Sequence, residues 1–269
     1  MSYLEPSEFA KKMVDQGEQK IFMSTKDTLV RAFMAGAILA LAAFFAITVI
    51  TQTGNALIGA ILFPVGFIML YLMKYDLLTG VFTLVPLAVI DKRPGCTVKG
   101  MLRNWGLVFC GNFAGALTTA FFASFILTYG YQIDGGAVAA KVATIGESRT
   151  LGYKEQGVLG WFTIFIRGML CNWMVSMGVV GAMISTSAGA KMAAMWMPIM
   201  LFFYMVFEHS IVNMFLFPFS MIMGGDFHLI DYFMWNEIPT ALGNLVGGFL
   251  LVGLPIYLTH VRETKKRAA

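Results

Sequence analysis

Charge is what this sequence has least of. Only 13% of its 269 residues are Asp, Glu, Lys or Arg, about half the share usual in soluble domains. So thin a polar coat excludes a soluble globular enzyme and a disordered chain alike. The formal charge of +4 is not gathered into a basic groove, which excludes nucleic acid as a partner. Cysteine is scarce too. Cys96, Cys110 and Cys171 have neither C-x-x-C spacing nor a histidine-rich neighbour, so no disulfide framework and no metal site is expected. A histidine box, a G-x-S-x-G elbow and a nucleotide-binding glycine loop are all missing, so no enzyme chemistry and no cofactor is expected. What the chain has in quantity is hydrophobic side chains, 58% of the total, and that composition reads as an integral membrane protein of one domain.

A helix needs about 20 apolar residues to cross a hydrocarbon core of roughly 30 Å. Ala32 to Met73 runs 42 residues without a charge, enough for two crossings folded at the polar stretch Thr51 to Ala56. Asn104 to Ile133, Gly168 to Ala190 and Ile238 to Thr259 are further charge-free runs. Leu57 to Ile90 and Met192 to Gly225 each span 34 residues, too long for one ordinary crossing. Both are interrupted near the centre, the first by Lys74 and Asp76, the second by Glu208 and His209. The reading is an all-α membrane protein with six transmembrane segments, the second and fifth broken. Fourteen Lys and Arg fall on the side of the termini and three (Lys141, Arg149, Lys154) on the other, so both termini are expected in the cytoplasm of a cell-membrane protein. Residues 1–28 read as an amphipathic interfacial helix, 29–262 as the pore domain and 263–269 as a basic tail.

Shifted by 132 positions, the sequence lies over itself. Lys74 to Pro86 covers Val206 to Pro218, Asp76 meets Glu208, Asn104 meets Asn236, and Gly111 to Gly115 (GNFAG) meets Gly243 to Gly247 (GNLVG). Each half holds three spans, an odd number, so the second copy enters from the opposite face: a 3+3 inverted repeat. Broken helices at matching places in such a repeat point to a transport site at mid-membrane. Non-helical backbone is tolerated there only if it is buried in protein or lines a cavity, and a restarting half-helix presents N–H groups suited to an anion. Asp76 and Glu208 either cap those restarts or touch substrate. The glycine motifs let helices approach closely.

Of three histidines, His228 and His260 sit at the edges of apolar runs. His209 lies in the middle of one, beside Glu208, and an ionisable side chain at that depth is a functional candidate whose ordinary pKa lies in the physiological range. The alternative is a structural imidazole bonded to a neighbouring span, at Asn172 or Asn213. A metal reading would need a second ligand at helical spacing, and there is none.

Three segments, Phe207 to Phe215 (FEHSIVNMF), Arg167 to Val175 (RGMLCNWMV) and Arg103 to Leu117 (RNWGLVFCGNFAGAL), resemble signatures of the formate/nitrite transporter family, in the family's order and over nearly the whole chain. The resemblance implies a homopentamer of aquaporin-like protomers, each with its own pore for a small monovalent weak-acid anion: formate, nitrite, lactate or hydrosulfide. It places His209 at the pore centre with Asn172 near it, and Thr97 in the gating loop after the first broken helix. Leu78 and Phe82 fall on the cytoplasmic constriction, Phe202 and Val175 on the extracellular one. Lys154 is the candidate for the family's vestibule lysine, although Gln156 stands at the family's usual spacing from Asn172.

The expected function is therefore transport of such an anion, formate foremost, coupled to a proton through His209, with Glu208, Asn172, Asn213, Thr97 and Lys154 along the path. A passive anion channel is the alternative mechanism. A neutral-solute channel would call for the paired NPA loops of aquaporins, which the sequence lacks.

Overall fold

The computed structural model describes residues 3–262, and among them the chain is helical, with one isolated bridge between Tyr3 and Ser185 and no strand. The basic tail expected at 263–269 lies outside the described residues. A short helix α1 (Pro6–Phe22) precedes α2 (Thr25–Thr53). Ser24 starts α2 by accepting from the Asp27 N–H at 3.0 Å, and Gly54, with φ +68°, ends it. The chain turns back through Asn55, whose side chain caps α3 (Ala56–Leu62), and Pro64 opens α4 (Pro64–Leu72). The fold-back expected at Thr51 to Ala56 is where this turn occurs. Then follow α5 (Leu78–Ile90) and α6 (Val98–Leu127).

The second half runs through α7 (Gly136–Ser148), α8 (Leu151–Glu155), α9 (Gly157–Ile184), α10 (Ala188–Tyr204) and α11 (Ser210–Ile222). A final helix α12 spans Leu229–Val261 and loosens into π geometry at Phe233–Glu237 and Phe249–Gly253. Helices α2, α6, α9 and α12, of 29, 30, 28 and 33 residues, are each long and apolar enough to cross a bilayer. The other apolar stretches are shorter helices, α3–α4 parted from α5 and α10 parted from α11, with the interruptions at Lys74–Asp76 and at Glu208–His209 as the charges predict.

Two long pairs frame the bundle, α2 on α6 and α9 on α12. Their contact depends on glycine. A Cβ at Gly115 would collide with the Phe33 carbonyl of α2, and one at Gly247 with the Met169 carbonyl of α9, so both motifs bring backbone against backbone. The half-helices α5 and α11 lie inside this frame, nearly every side chain buried.

One sequence expectation changes. The amphipathic face of α1 does not lie on lipid: Met13 and Val14 are fully buried, and the helix packs along α5, α9 and the end of α12. The polar connection between the third and fourth long apolar runs, to which the sequence reading assigned no element, is helical. Its 13 residues of α7 are too few to register as a span, and they dock on α11 and α2.

Gly115→Ala is expected to lower stability in detergent by about 1–3 kcal/mol through overpacking, whereas Gly189→Ala, with open space around it, stays within about 0.5 kcal/mol. Thermal or denaturant unfolding of the purified variants reads the difference.

Candidate functional site

Both broken helices end and restart in the same way. At the end of α4 the N–H of Lys74 bonds the Tyr71 carbonyl at 3.0 Å and that of Tyr75 the Leu70 carbonyl at 2.9 Å. At the end of α10, Val206 bonds Phe203 at 3.1 Å and Phe207 bonds Phe202 at 3.0 Å. This is the Schellman closure, with Lys74 and Val206 holding the left-handed backbone at φ 57° and 54°. A left-handed conformation in a non-glycine residue costs about 1–2 kcal/mol, and here it turns the chain out of the helix, with Lys74 and Val206 themselves exposed.

Restarting is harder, because the extended residues carry polar groups with no helical partner. Two asparagines meet them. The Asn112 side chain accepts from the Leu78 N–H (2.9 Å) and donates to the carbonyls of Asp76 (2.9 Å) and Ala32 (2.7 Å). The Asn244 side chain accepts from the Ser210 N–H (3.0 Å) and donates to the carbonyls of Glu208 (2.9 Å) and Gly168 (2.8 Å). Each asparagine thus pins a break to the neighbouring long helix. The sequence reading credited the surrounding glycines with packing and passed over these asparagines, although GN recurs in both copies and was the available signal.

Neither carboxylate caps a restart. Asp76 is ion-paired with Lys20 of α1, and Glu208 with Arg149 at the end of α7. Arg149 reaches Glu208 with two nitrogens, one at 2.9 Å to Oε1, a bidentate pairing that suits guanidinium. Asn104 donates to the Lys20 carbonyl at 3.1 Å and Asn236 to the Arg149 carbonyl at 3.0 Å, so the backbone of each cation is held by matching residues of the two halves. The halves then differ. Asn213 bonds both Glu208 (2.9 Å) and Asn236 (2.7 Å), while Val81 stands at the matching place in the first half. There Asp76 Oδ2 and Asn104 Oδ1 are left buried without a partner. Arg149 has no counterpart in the repeat, so sequence periodicity carries no sign of it.

His209 is buried at the N-terminal end of α11. Its Nδ1 accepts from the Val212 N–H at 3.4 Å, so the neutral ring carries its hydrogen on Nε2, which faces the Thr79 hydroxyl at 3.4 Å. Phe202 stacks on the ring, centroids 5.4 Å apart. Asn172 does not bond His209. It donates to the carbonyls of Thr79 (3.1 Å) and Asn244 (2.7 Å), tying the two restarts together, and Ser176 links it to Thr83. Ser210 donates to the buried Glu237, which also takes the Tyr232 hydroxyl at 2.9 Å.

Of the expected site residues, His209, Asn172, Asn213 and Glu208 thus converge on the breaks, and Leu78, Phe82, Val175 and Phe202 are buried with them. Phe82 packs edge-on to Trp105 at 5.0 Å. Thr97, expected in the loop after the first broken helix, is exposed and serves as the N-cap of α6, accepting from the Gly100 N–H at 3.1 Å; the threonine that faces His209 is Thr79, which the sequence reading did not single out. Lys154 pairs with Asp231 at 2.8 Å and is half exposed, and the cation at the second break is Arg149.

Comparison with known proteins agrees with this geometry. The sequence pattern that defines the family described as "Formate/nitrite transporter" matches residues 7–258. The probable formate transporter of Methanothermobacter thermautotrophicus is 31% identical over 274 residues, covering 97% of this chain and 99% of its own. Among solved structures, an FNT family ion channel superposes with a TM-score of 0.80 at 21% identity, over 93% of this chain and 98% of that one. A pentameric formate channel with formate bound gives 0.72 at 23% identity, over 87% and 96%.

Arg149→Gln is expected to cost about 3–5 kcal/mol, since it leaves the Glu208 carboxylate buried and unpaired. Adding Glu208→Gln should return part of that loss. A double-mutant cycle on unfolding in detergent measures it, and full additivity of the two losses would mean the pair is not coupled.

Proposed function

The chain belongs to the formate/nitrite transporter family, whose members are transport proteins and not enzymes, and we propose that it moves formate, or a similar monovalent weak-acid anion, across the cell membrane together with a proton. On this reading six segments cross the bilayer: α2, α3–α5, α6, α9, α10–α11 and α12. The second three repeat the first with opposite sense. The matched closures and asparagine clamps support that reading, because the helix closures and the bonds of Asn112 to Asp76 and Leu78 recur 132 residues on, in Asn244 with Glu208 and Ser210. The excess of Lys and Arg on one side supports cytoplasmic termini. A homopentamer is proposed by analogy with the pentameric solved relative.

The observation that carries the function is the setting of His209. It stands at the restart of one broken helix, faces a threonine from the restart of the other, and has no charged hydrogen-bond partner. Glu208, next to it in sequence, is taken up by Arg149 and Asn213. At His209 the passage therefore offers a bare anion neutral donors, the imidazole Nε2–H and the Thr79 hydroxyl, and among the described residues no cation hydrogen-bonded to either. Stripping a carboxylate of water costs several kcal/mol, and neutral hydrogen bonds return about 1 kcal/mol each. A proton removes the charge itself. Neutral imidazole cannot give up the Nε2 hydrogen without becoming imidazolate, so the proton reaches the acid through water, or from an imidazolium formed once Nδ1 has released Val212. The uncharged acid then passes the apolar gates proposed at Leu78 and Phe82 and at Val175 and Phe202. Asn172 and Asn213 hold this frame, Glu208 and Arg149 lock it, and Thr97 and Lys154 have only peripheral parts.

A passive anion channel remains the mechanistic alternative, and proteoliposomes separate the two. Formate uptake driven by an acid exterior is expected to be electroneutral, and in His209→Asn to fall about tenfold, equivalent to about 1.4 kcal/mol of barrier, with its pH stimulation lost. An unchanged pH profile removes His209 from the proton path, and net current without acid movement establishes the channel. Competition by nitrite, lactate and hydrosulfide in the same vesicles ranks the substrates.

A further inference from the structure

A cavity of about 420 Å³ opens beside α1 and runs inward to Thr79. Its wall carries Lys12, Lys20, Arg31, Lys74 and Lys191, against one carboxylate, Asp76. Lys20 is paired with that carboxylate. Among the described residues no salt bridge involves any of the other four. The cations at the second break are different, since Arg149 and Lys154 both hold carboxylates.

Three of the unpaired groups come from separate elements, and two of them are placed against local preference. Lys12 projects from α1. Lys74 occupies the left-handed position that closes α4, where Val206 serves the same backbone purpose at the other break; the turn therefore does not call for a lysine. Lys191 stands in the first turn of α10, where a cation opposes the helix dipole, and its Nζ holds only the Ala182 carbonyl, at 3.2 Å. Lys191 is also within electrostatic reach of both Lys12 and Lys74. Three like charges kept near one another without counter-charge repel, and a multivalent anion relieves that repulsion where a single monovalent carboxylate cannot. The space is also large for formate, an ion of three heavy atoms, and falls within the range of about 300–1,000 Å³ typical of ligand pockets.

We propose that this vestibule is a binding site for a phosphate-bearing multivalent anion, held by Lys12, Lys74 and Lys191, and that its occupation obstructs the passage toward Thr79 and His209. The obstruction rests on the transport reading above; the binding does not. A soluble phosphate compound and an anionic lipid headgroup share the chemistry, and the experiment distinguishes them.

Full-length protein in phosphatidylcholine vesicles is titrated with inorganic pyrophosphate, reading binding by calorimetry and formate uptake in parallel, with chloride of equal ionic strength as control. Pyrophosphate is expected to bind and to inhibit, and chloride to do neither. Lys191→Gln, and separately Lys74→Asn, which keeps a residue tolerant of left-handed backbone, should each weaken binding about tenfold while uptake without pyrophosphate stays within about twofold. If phosphatidylglycerol inhibits in place of pyrophosphate, and either variant relieves it, the headgroup is the ligand. Absence of both effects, or inhibition indifferent to both variants, overturns the proposal. Pyrophosphate binding without formate uptake would instead fail the transport reading and leave the site standing.

Discussion

Every feature of the pore region depends on one requirement: backbone that leaves the helix inside an apolar bundle must find partners other than water. Two helices are interrupted within the bundle, and each interruption exposes an N–H and carbonyls that nothing in its own segment can satisfy. A single asparagine amide has the right valence for the task. Its oxygen takes the first N–H of the restarting helix, and its nitrogen divides two hydrogens between the break and the neighbouring long helix. Leucine would fill the space but leave three groups bare, and aspartate would lose both donors. The glycine beside each asparagine is part of the same device, because the clamp works only if the long helices come within backbone contact.

Fixing the breaks in this way sets the place of charge. The carboxylates beside them are spent on cations from outside the transmembrane frame, Lys20 of α1 and Arg149 of α7. The polar character left along the inner line is uncharged: Thr79, Thr83, Ser176, Asn172 and a neutral tautomer of His209. The clamp with Arg149 is saturated by Asn213 and Asn236, whereas the one with Lys20 leaves two acceptors bare. Structural symmetry around the breaks thus coexists with unequal hydrogen bonding, and the side with the unpartnered acceptors is the side of the basic vestibule.

Much of this was legible in the sequence for identifiable reasons. Charges inside over-long apolar runs placed the interruptions, since no straight span tolerates Lys74 with Asp76 or Glu208 with His209 at its centre. The 132-residue offset exposed the matched residues, and depth alone singled out His209. What escaped had no periodic or compositional trace. Arg149 enters from the polar connection between the third and fourth apolar runs, and α7 is too short to stand out. Thr79 carried no signal of its own, because nothing in the sequence shows that the restart of the first broken helix faces the ring of His209. The docking of α1 on α5 could not be told from docking on lipid, since the same amphipathic face serves both.

The uncharged lining also bears on selectivity. A fixed cation at the narrowest point would attract every small anion and hold it, favouring chloride as much as a carboxylate. Neutral donors discriminate by what the anion can become. On the proposed proton-coupled mechanism chloride, with no accessible conjugate acid, would carry its full desolvation cost past the gates proposed at Phe82 and Phe202, whereas a weak acid would shed that cost by taking a proton of ordinary affinity. The unpaired basic groups lie apart from this centre, along the cavity beside α1. Sorting by proton affinity requires that no carboxylate or cation be left free beside His209, and the pairing of Glu208 with Arg149 meets that condition.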